Sequence, residues 1–278
     1  MEKVKRNEVA DFWDNAVKEW LNSTDDDWLK RLRGSDDKDD LTKWFKSYNG
    51  ALELSDGLEA FAGDLRGIKD EPRLVSLGLN PGVGYCELTS REGVWSKRIR
   101  NEGYSYCLTR GPATDPVEWL SVRAKYGKGE SPYWVKLINF VERWLPDPKA
   151  KVCDILNFEL YPWHSESLTA GIETPASLVE RYIFGPIAEI DVSYVFAFGA
   201  PRFRVATRLK QERMLKEIRA RHKVLGASDR SRWEMGLYEL PSKQILVVSS
   251  QLGYAGPPGE LRMETFRRVL NSATGRAG

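Results

Sequence analysis

Apolar positions along the chain follow two different periods. Between residues 1 and 72, Val9, Phe12, Trp13, Val17 and Trp20-Leu21 recur at helical spacing, as do Trp28 and Leu32, and Leu41, Trp44 and Phe45. Acidic stretches, Asp25-Asp26-Asp27 and Asp36-Asp37-Lys38-Asp39-Asp40, separate these groups, and Ser23-Thr24-Asp25 and Ser35-Asp36 offer side-chain oxygens to cap helix starts. This pattern predicts a small helical extension over residues 1–72 that packs its aromatic stripe on the remainder of the chain.

From residue 73 the pattern changes to short apolar runs that stop at polar turns. Leu74 to Leu79, Val152 to Phe158, Val195 to Ala200 and Ile245 to Val248 read as strands covered on both faces, and Arg202 to Arg221 reads as a helix after the third. The first run ends in Gly78-Leu79-Asn80-Pro81-Gly82, where Gly and Pro forbid helical continuation. Asn80 is then presented at the carboxyl end of a strand, where open α/β sheets bind their ligands. The second run contains Asn157 and leads into Leu160-Tyr161-Pro162-Trp163-His164-Ser165; the fourth leads into Ser249-Ser250-Gln251-Leu252-Gly253-Tyr254.

Charge divides the chain in the same place. Residues 1–72 hold 12 Lys and Arg against 18 Asp and Glu, a balance of −6, whereas residues 73–278 hold 30 against 22, a balance of +8. The positive excess is concentrated between Arg202 and Arg232, which makes Arg202, Arg204 and Arg208 candidate phosphate contacts, with a solvated helix face as the alternative. The acidic extension would repel DNA and is expected away from such a face.

Several chemistries are disfavoured. Three Cys without a Cys-x-x-Cys spacing argue against a disulfide framework and for a reducing compartment. Two His, His164 and His222, form no compact ligand cluster, so no metal and no cofactor are assigned. Gly78, Gly82 and Gly84 lack dinucleotide-site spacing, and no Gly-x-Ser-x-Gly elbow is present. No run approaches the roughly 20 apolar residues of a membrane span, and the polar start leads into no secretory segment, so a cytoplasmic protein is expected. No obligate protein partner is inferred.

The strand ending in Gly-Leu-Asn-Pro-Gly resembles the first active-site motif of the uracil-DNA glycosylase superfamily, whose mismatch-directed branch carries Gly-Ile-Asn-Pro-Gly. The order of the later segments is similar too: a strand with a base-recognising Asn, a strand ending in Phe-Gly, and a strand opening into a minor-groove loop. The resemblance covers roughly residues 73 to 270. It implies a three-layer α/β/α domain around a central, mostly parallel four-stranded sheet over 73–278, and a monofunctional DNA glycosylase acting on a flipped-out base. Two features depart from the family: Ser249-Ser250-Gln251 stands where His-Pro-Ser is usual, and three Cys are too few for an iron–sulfur cluster.

By this resemblance Asn80 orients the attacking water and Asn157 reads the base edge, one amide offering both donor and acceptor. Glu87 is a candidate general base, and Ser249 or Ser250 stands near the leaving base. Tyr85, Trp95, Tyr104 and Tyr106 are available to stack on the base, with Trp95 favoured. Gln251, Leu252 and Tyr254 belong to the DNA-binding loop, Leu252 or Tyr254 as the wedge. Uracil-restricted relatives carry a bulky Tyr at the position of Gly82; Gly opens the pocket to C5-substituted pyrimidines, and His164 with Ser165 would bond extra polar groups. A hydroxymethylated or glucosylated cytosine of phage DNA is the favoured substrate, in antiviral defence. Uracil or thymine in mismatches is the alternative, and a non-catalytic DNA-binding sensor is the rival from another class.

Overall fold

A computed structural model describes residues 5–34, 39–48, 54–68, 71–110, 132–145, 154–165, 173–224, 233–251 and 256–275. Its centre is a seven-stranded mixed sheet: β1 (Phe61–Ala62), β2 (Leu74–Gly78), β3 (Ile155–Glu159), β4 (Tyr194–Phe198), β5 (Lys216–Val224), β6 (Trp233–Glu239) and β7 (Ile245–Gln251), in the order β1-β3-β2-β4-β7-β6-β5. The fold is therefore α/β, but the expected four-stranded sheet is corrected to seven. The four apolar runs supply the contiguous parallel strands β3, β2, β4 and β7. The further strands β1, β6 and β5 are antiparallel to their inner neighbours. β1 has two residues and β5 is almost wholly exposed, so neither carries an apolar run.

Strand alternation divides the parallel core between two faces. Val75, Leu77, Leu156, Phe158, Val195, Ala197, Leu246 and Val248 join one apolar cluster with Phe203, Ala206 and Leu209 of the helix Pro201–Gln211. Leu74, Ile155, Phe196, Phe198 and Val247 join the other with Phe140 of the helix Pro132–Trp144 and Phe266 of the helix Glu260–Thr274. Helices therefore lie against both faces.

The amino-terminal segment adds its helices Arg6–Leu21, Asp25–Gly34 and Asp40–Lys46 to the first cluster. Trp13, Trp20, Trp28 and Trp44 are all buried there, each large side chain stabilising by about 1.5–3 kcal/mol relative to exposure. Thr24 caps the second helix, accepting from Asp27 N at 3.2 Å. Asp39 caps the third, accepting from Leu41 N at 3.1 Å; the expected caps Ser35 and Asp36 lie outside the described residues. Asp40 receives Arg181 and the Tyr182 hydroxyl, at 2.9 and 2.7 Å, which ties this acidic segment to the segment Glu180–Phe184.

Three expected boundaries move. The helix after β4 ends at Gln211, and the basic sequence beyond it forms the edge strand β5 rather than more helix. β3 runs through Asn157 to Glu159, so Asn157 is a strand-interior residue. β7 continues through Ser249 and Ser250 to Gln251, pairing Ser249 with Met235 and Ser250 with Glu234 of β6. Those two serines are strand residues and do not open a loop.

Candidate active site at the carboxyl ends of β2 and β3

The polar residues at this end of the sheet form two groups, one in the loops beyond the strands and one between the strands themselves. In the first, Asn80 follows β2 and donates from Nδ2 to Ser165 Oγ at 2.9 Å and to Ser165 O at 3.4 Å. Its Oδ1 accepts no hydrogen bond among the described residues and remains available to water. Gly82 holds φ at +83°, a conformation that glycine reaches without the penalty of a Cβ, and nothing lies within 4 Å of where a Cβ would stand. Its carbonyl accepts from Ser165 N at 3.0 Å and faces His164 Nδ1 at 3.1 Å.

These contacts change the roles of two residues. His164 and Ser165 are 4% and 1% exposed, and their polar atoms hold the Gly82 loop and the Asn80 amide. They position the loop, where bonds to a substituent on the base had been expected. The imidazole Nε2 lies 3.6 Å from Glu59, and Tyr48 donates to Ser165 Oγ at 3.3 Å. Tyr48 and Glu59 belong to the acidic amino-terminal segment, which therefore borders this cluster. Trp44 of the same segment donates to Leu160 O at 2.9 Å.

The second group lies between β2 and β3, on the strand face that also carries Leu74 and Ile155. Asn157 is 1% exposed; its Oδ1 accepts from Ser76 Oγ at 2.7 Å and from the Tyr133 hydroxyl at 3.1 Å, and its Nδ2 donates to Glu159 Oε1 at 2.7 Å. An amide engaged in this way anchors the strands and is not presented to a base, so the base-reading role expected of Asn157 is corrected. Glu159 stands beside Gly78 in the parallel register. Burial, reinforced by the charge of Glu59 and partly offset by Arg202 and the Asn157 amide, pushes its carboxyl up to about 8. Arg202, on the first turn of the helix after β4, is half-buried, its Nε has no hydrogen-bond partner among the described residues, and desolvation lowers its pKa.

The remaining candidates lie elsewhere or have other work. Glu87 is exposed in the first turn of the short helix Cys86–Thr89, and Trp95 is half-buried in the helix Val94–Glu102. Of the other aromatics, Tyr104 is buried with its hydroxyl bonded to backbone groups of Ala60 and Phe61, and Tyr106 packs under Arg66. Ser249 and Ser250 are buried in β7, and Ser249 O accepts from Gly199 N at 2.7 Å. Gln251 ends β7; Leu252 and Tyr254 lie outside the described residues. Arg204 is exposed, whereas Arg208 turns inward to Thr174 O, so the three arginines do not form one uniform outward row.

The basic surface continues on β5. This strand runs parallel to β7 through the intervening β6, so its carboxyl end shares the site's end of the sheet. Arg219 in mid-strand and Lys223 near that end are exposed, whereas Lys210 and Arg221 are paired with Glu217 and Glu234.

Sequence reasoning missed Ser76, Tyr133, Glu159, Tyr48 and Glu59. One signal was available for Glu159, which lies two residues after Asn157 and so shares its strand face. Among the described residues no group of three or more His, Cys, Asp and Glu is placed to hold a metal, and no helix is long and apolar enough to cross a membrane. Compared with protein-family models, curated proteins and solved structures, the chain matches none.

Proposed function

We propose that this chain is a monofunctional DNA glycosylase of the uracil-DNA glycosylase type, hydrolysing the N-glycosidic bond of a flipped-out, C5-substituted cytosine. The observation that carries this reading is Asn80 just beyond the carboxyl end of a central parallel strand, with Nδ2 fixed by Ser165 and Oδ1 without a donor among the described residues. Four parallel strands flanked by helices on both faces are in keeping with the three-layer architecture of that superfamily.

The chemistry follows from the charge that develops as the bond breaks. The sugar becomes an oxocarbenium-like electrophile and the base gains negative charge, so the site must direct water at C1′ and stabilise the departing base. Asn80 Oδ1 accepts a hydrogen bond from the water and orients it, while the Ser165 clamp keeps the amide from rotating. The carboxamide removes no proton, which is tolerable against a strong electrophile. Space beside Gly82 admits a substituent at pyrimidine C5. Exposed Arg204, Arg219 and Lys223 supply charge for the phosphates.

The test is release of free base from duplexes containing uracil, thymine mismatches, hydroxymethylcytosine or glucosylated hydroxymethylcytosine, comparing wild type with Asn80→Ala. Release from a C5-substituted cytosine that falls about 100-fold in the variant is expected, the scale of a misplaced reactant. Release confined to uracil or mismatched thymine would assign the protein to mismatch repair. The burial of Ser249 and Ser250 in β7, without the family His, favours a second reading as a DNA-binding sensor. Tight binding to modified DNA with no base release from wild type would establish that reading instead.

A further inference from the structure

Glu159 closes β3, is 7% exposed as a residue, and holds its two oxygens in different circumstances. Oε1 accepts from Asn157 Nδ2 at 2.7 Å, whereas Oε2 is buried and has no hydrogen-bond partner among the described residues. Because Asn157 donates to Oε1, the proton of the neutral acid belongs on Oε2, which makes that atom a donor without an acceptor. A buried unmet donor is costly, about 1–3 kcal/mol, unless a ligand completes it. The acid is also held in place: a Cβ on Gly78 would overlap all three carboxyl atoms, so the carboxyl lies directly against the backbone of β2.

Its location matches the site. Gly78 and Glu159 are register partners, and Tyr161 N donates to Leu79 O at 2.8 Å, so Gly78 to Asn80 and Glu159 to Tyr161 run side by side. Strand geometry puts the Cα atoms of Asn80 and Glu159 roughly 8 Å apart. The charged and titratable groups around the carboxyl are Glu59 before β1, Arg202 after β4 and Tyr133 on the helix Pro132–Trp144. Glu59 favours the neutral acid, and Arg202 stabilises the carboxylate once the proton has left.

Resting on the glycosylase reading, we propose that Glu159 is the general acid of the reaction, donating the Oε2 proton to the departing base. The bond between C1′ and the base nitrogen breaks and its electron pair goes to the base. The Glu159 O–H bond breaks as its proton passes to a carbonyl oxygen or ring nitrogen of the base, leaving a carboxylate beside Arg202. Water oriented by Asn80 forms the new C1′–O bond, and the proton it sheds returns to solvent, from which Glu159 is reprotonated. The ligand class is a pyrimidine with an acceptor on the edge that faces β3.

The test compares base release by wild type, Glu159→Gln and Asn80→Ala between pH 6 and 9.5, with thermal unfolding of each. Two substrates are used that differ in an electron-withdrawing C5 group, 5-formylcytosine against 5-hydroxymethylcytosine or 5-fluorouracil against uracil, whichever pair wild type cleaves. The expected wild-type rate falls as pH rises through about 8, and less steeply for the better leaving base. Glu159→Gln loses about 100- to 10,000-fold below that pH, the range of general acid catalysis, becomes insensitive to pH there, and loses less on the better leaving base. Should Glu159→Gln fail to fold, the wild-type pH and leaving-group dependence decides alone. Equal loss on both substrates, a wild-type rate that does not fall above pH 8, or full activity of Glu159→Gln would overturn the acid role while leaving the glycosylase reading standing. Absence of base release from every DNA by wild type would overturn both.

Discussion

The carboxyl of Glu159 lies where the side chain of Gly78 would be, and the two residues are direct partners in the parallel register of β2 and β3. Glycine at 78 is required by its neighbour and not by its backbone, since the positive-φ glycines are elsewhere. Gly78→Ala should therefore cost about 1–3 kcal/mol by overpacking. In a Glu159→Ala background most of that cost should vanish, and urea unfolding of the four proteins in the cycle measures the coupling. Additive losses would mean that the two residues do not compete for the same space.

Stability should depend on pH through the same carboxyl. Its folded pKa, about 8, is raised above its unfolded value, so its favourable contribution is complete below the unfolded pKa and declines as pH rises towards the folded one. Glu159→Gln has no proton to lose. Its stability relative to wild type should grow between pH 5 and 8 and level off above that. Denaturant midpoints for both proteins at several pH values would show this, and a constant difference would place the carboxyl in a more solvated setting.

Gly82 presents the opposite case to Gly78, with a positive φ and open space around it. Gly82→Ala should lose about 1–2 kcal/mol from backbone strain alone, and Gly82→Asn less, since Asn tolerates that conformation. Gly82→Tyr fills the opening and should reduce release of C5-substituted bases more than release of uracil. Equal effects on both would remove Gly82 from substrate selection.

On the basic surface, the exposed cations without a described ion pair should carry the phosphate contacts. Arg219→Ala and Lys223→Ala should each weaken DNA binding and lower the slope of log affinity against log salt by about 0.9. Arg221, already paired with Glu234, should change the slope less. Titrations at several salt concentrations test the order, and no change in slope for Arg219 and Lys223 would place the DNA on another face.

What could be read from the chain itself was what depends on a residue and its near neighbours. Four apolar runs became the four parallel strands, the helical spacing of Val9 to Leu21 became a helix, and the Gly and Pro flanking Leu79 and Asn80 ended β2 just before Asn80. Each signal reflects one segment burying its own side. Tertiary structure decided what depends on a distant partner. Lys216 to Lys223 looks like polar helix because an edge strand exposed on both faces has no apolar alternation to reveal it. Ser249 and Ser250 remain in β7 because β6 supplies their backbone partners. Asn157 resembled a base reader, yet Ser76 and Tyr133 occupy its oxygen from other segments, and the same packing removes Glu159 from water. Hydrogen-bond satisfaction and desolvation are properties of assembled neighbours, and no local pattern encodes which neighbours those will be.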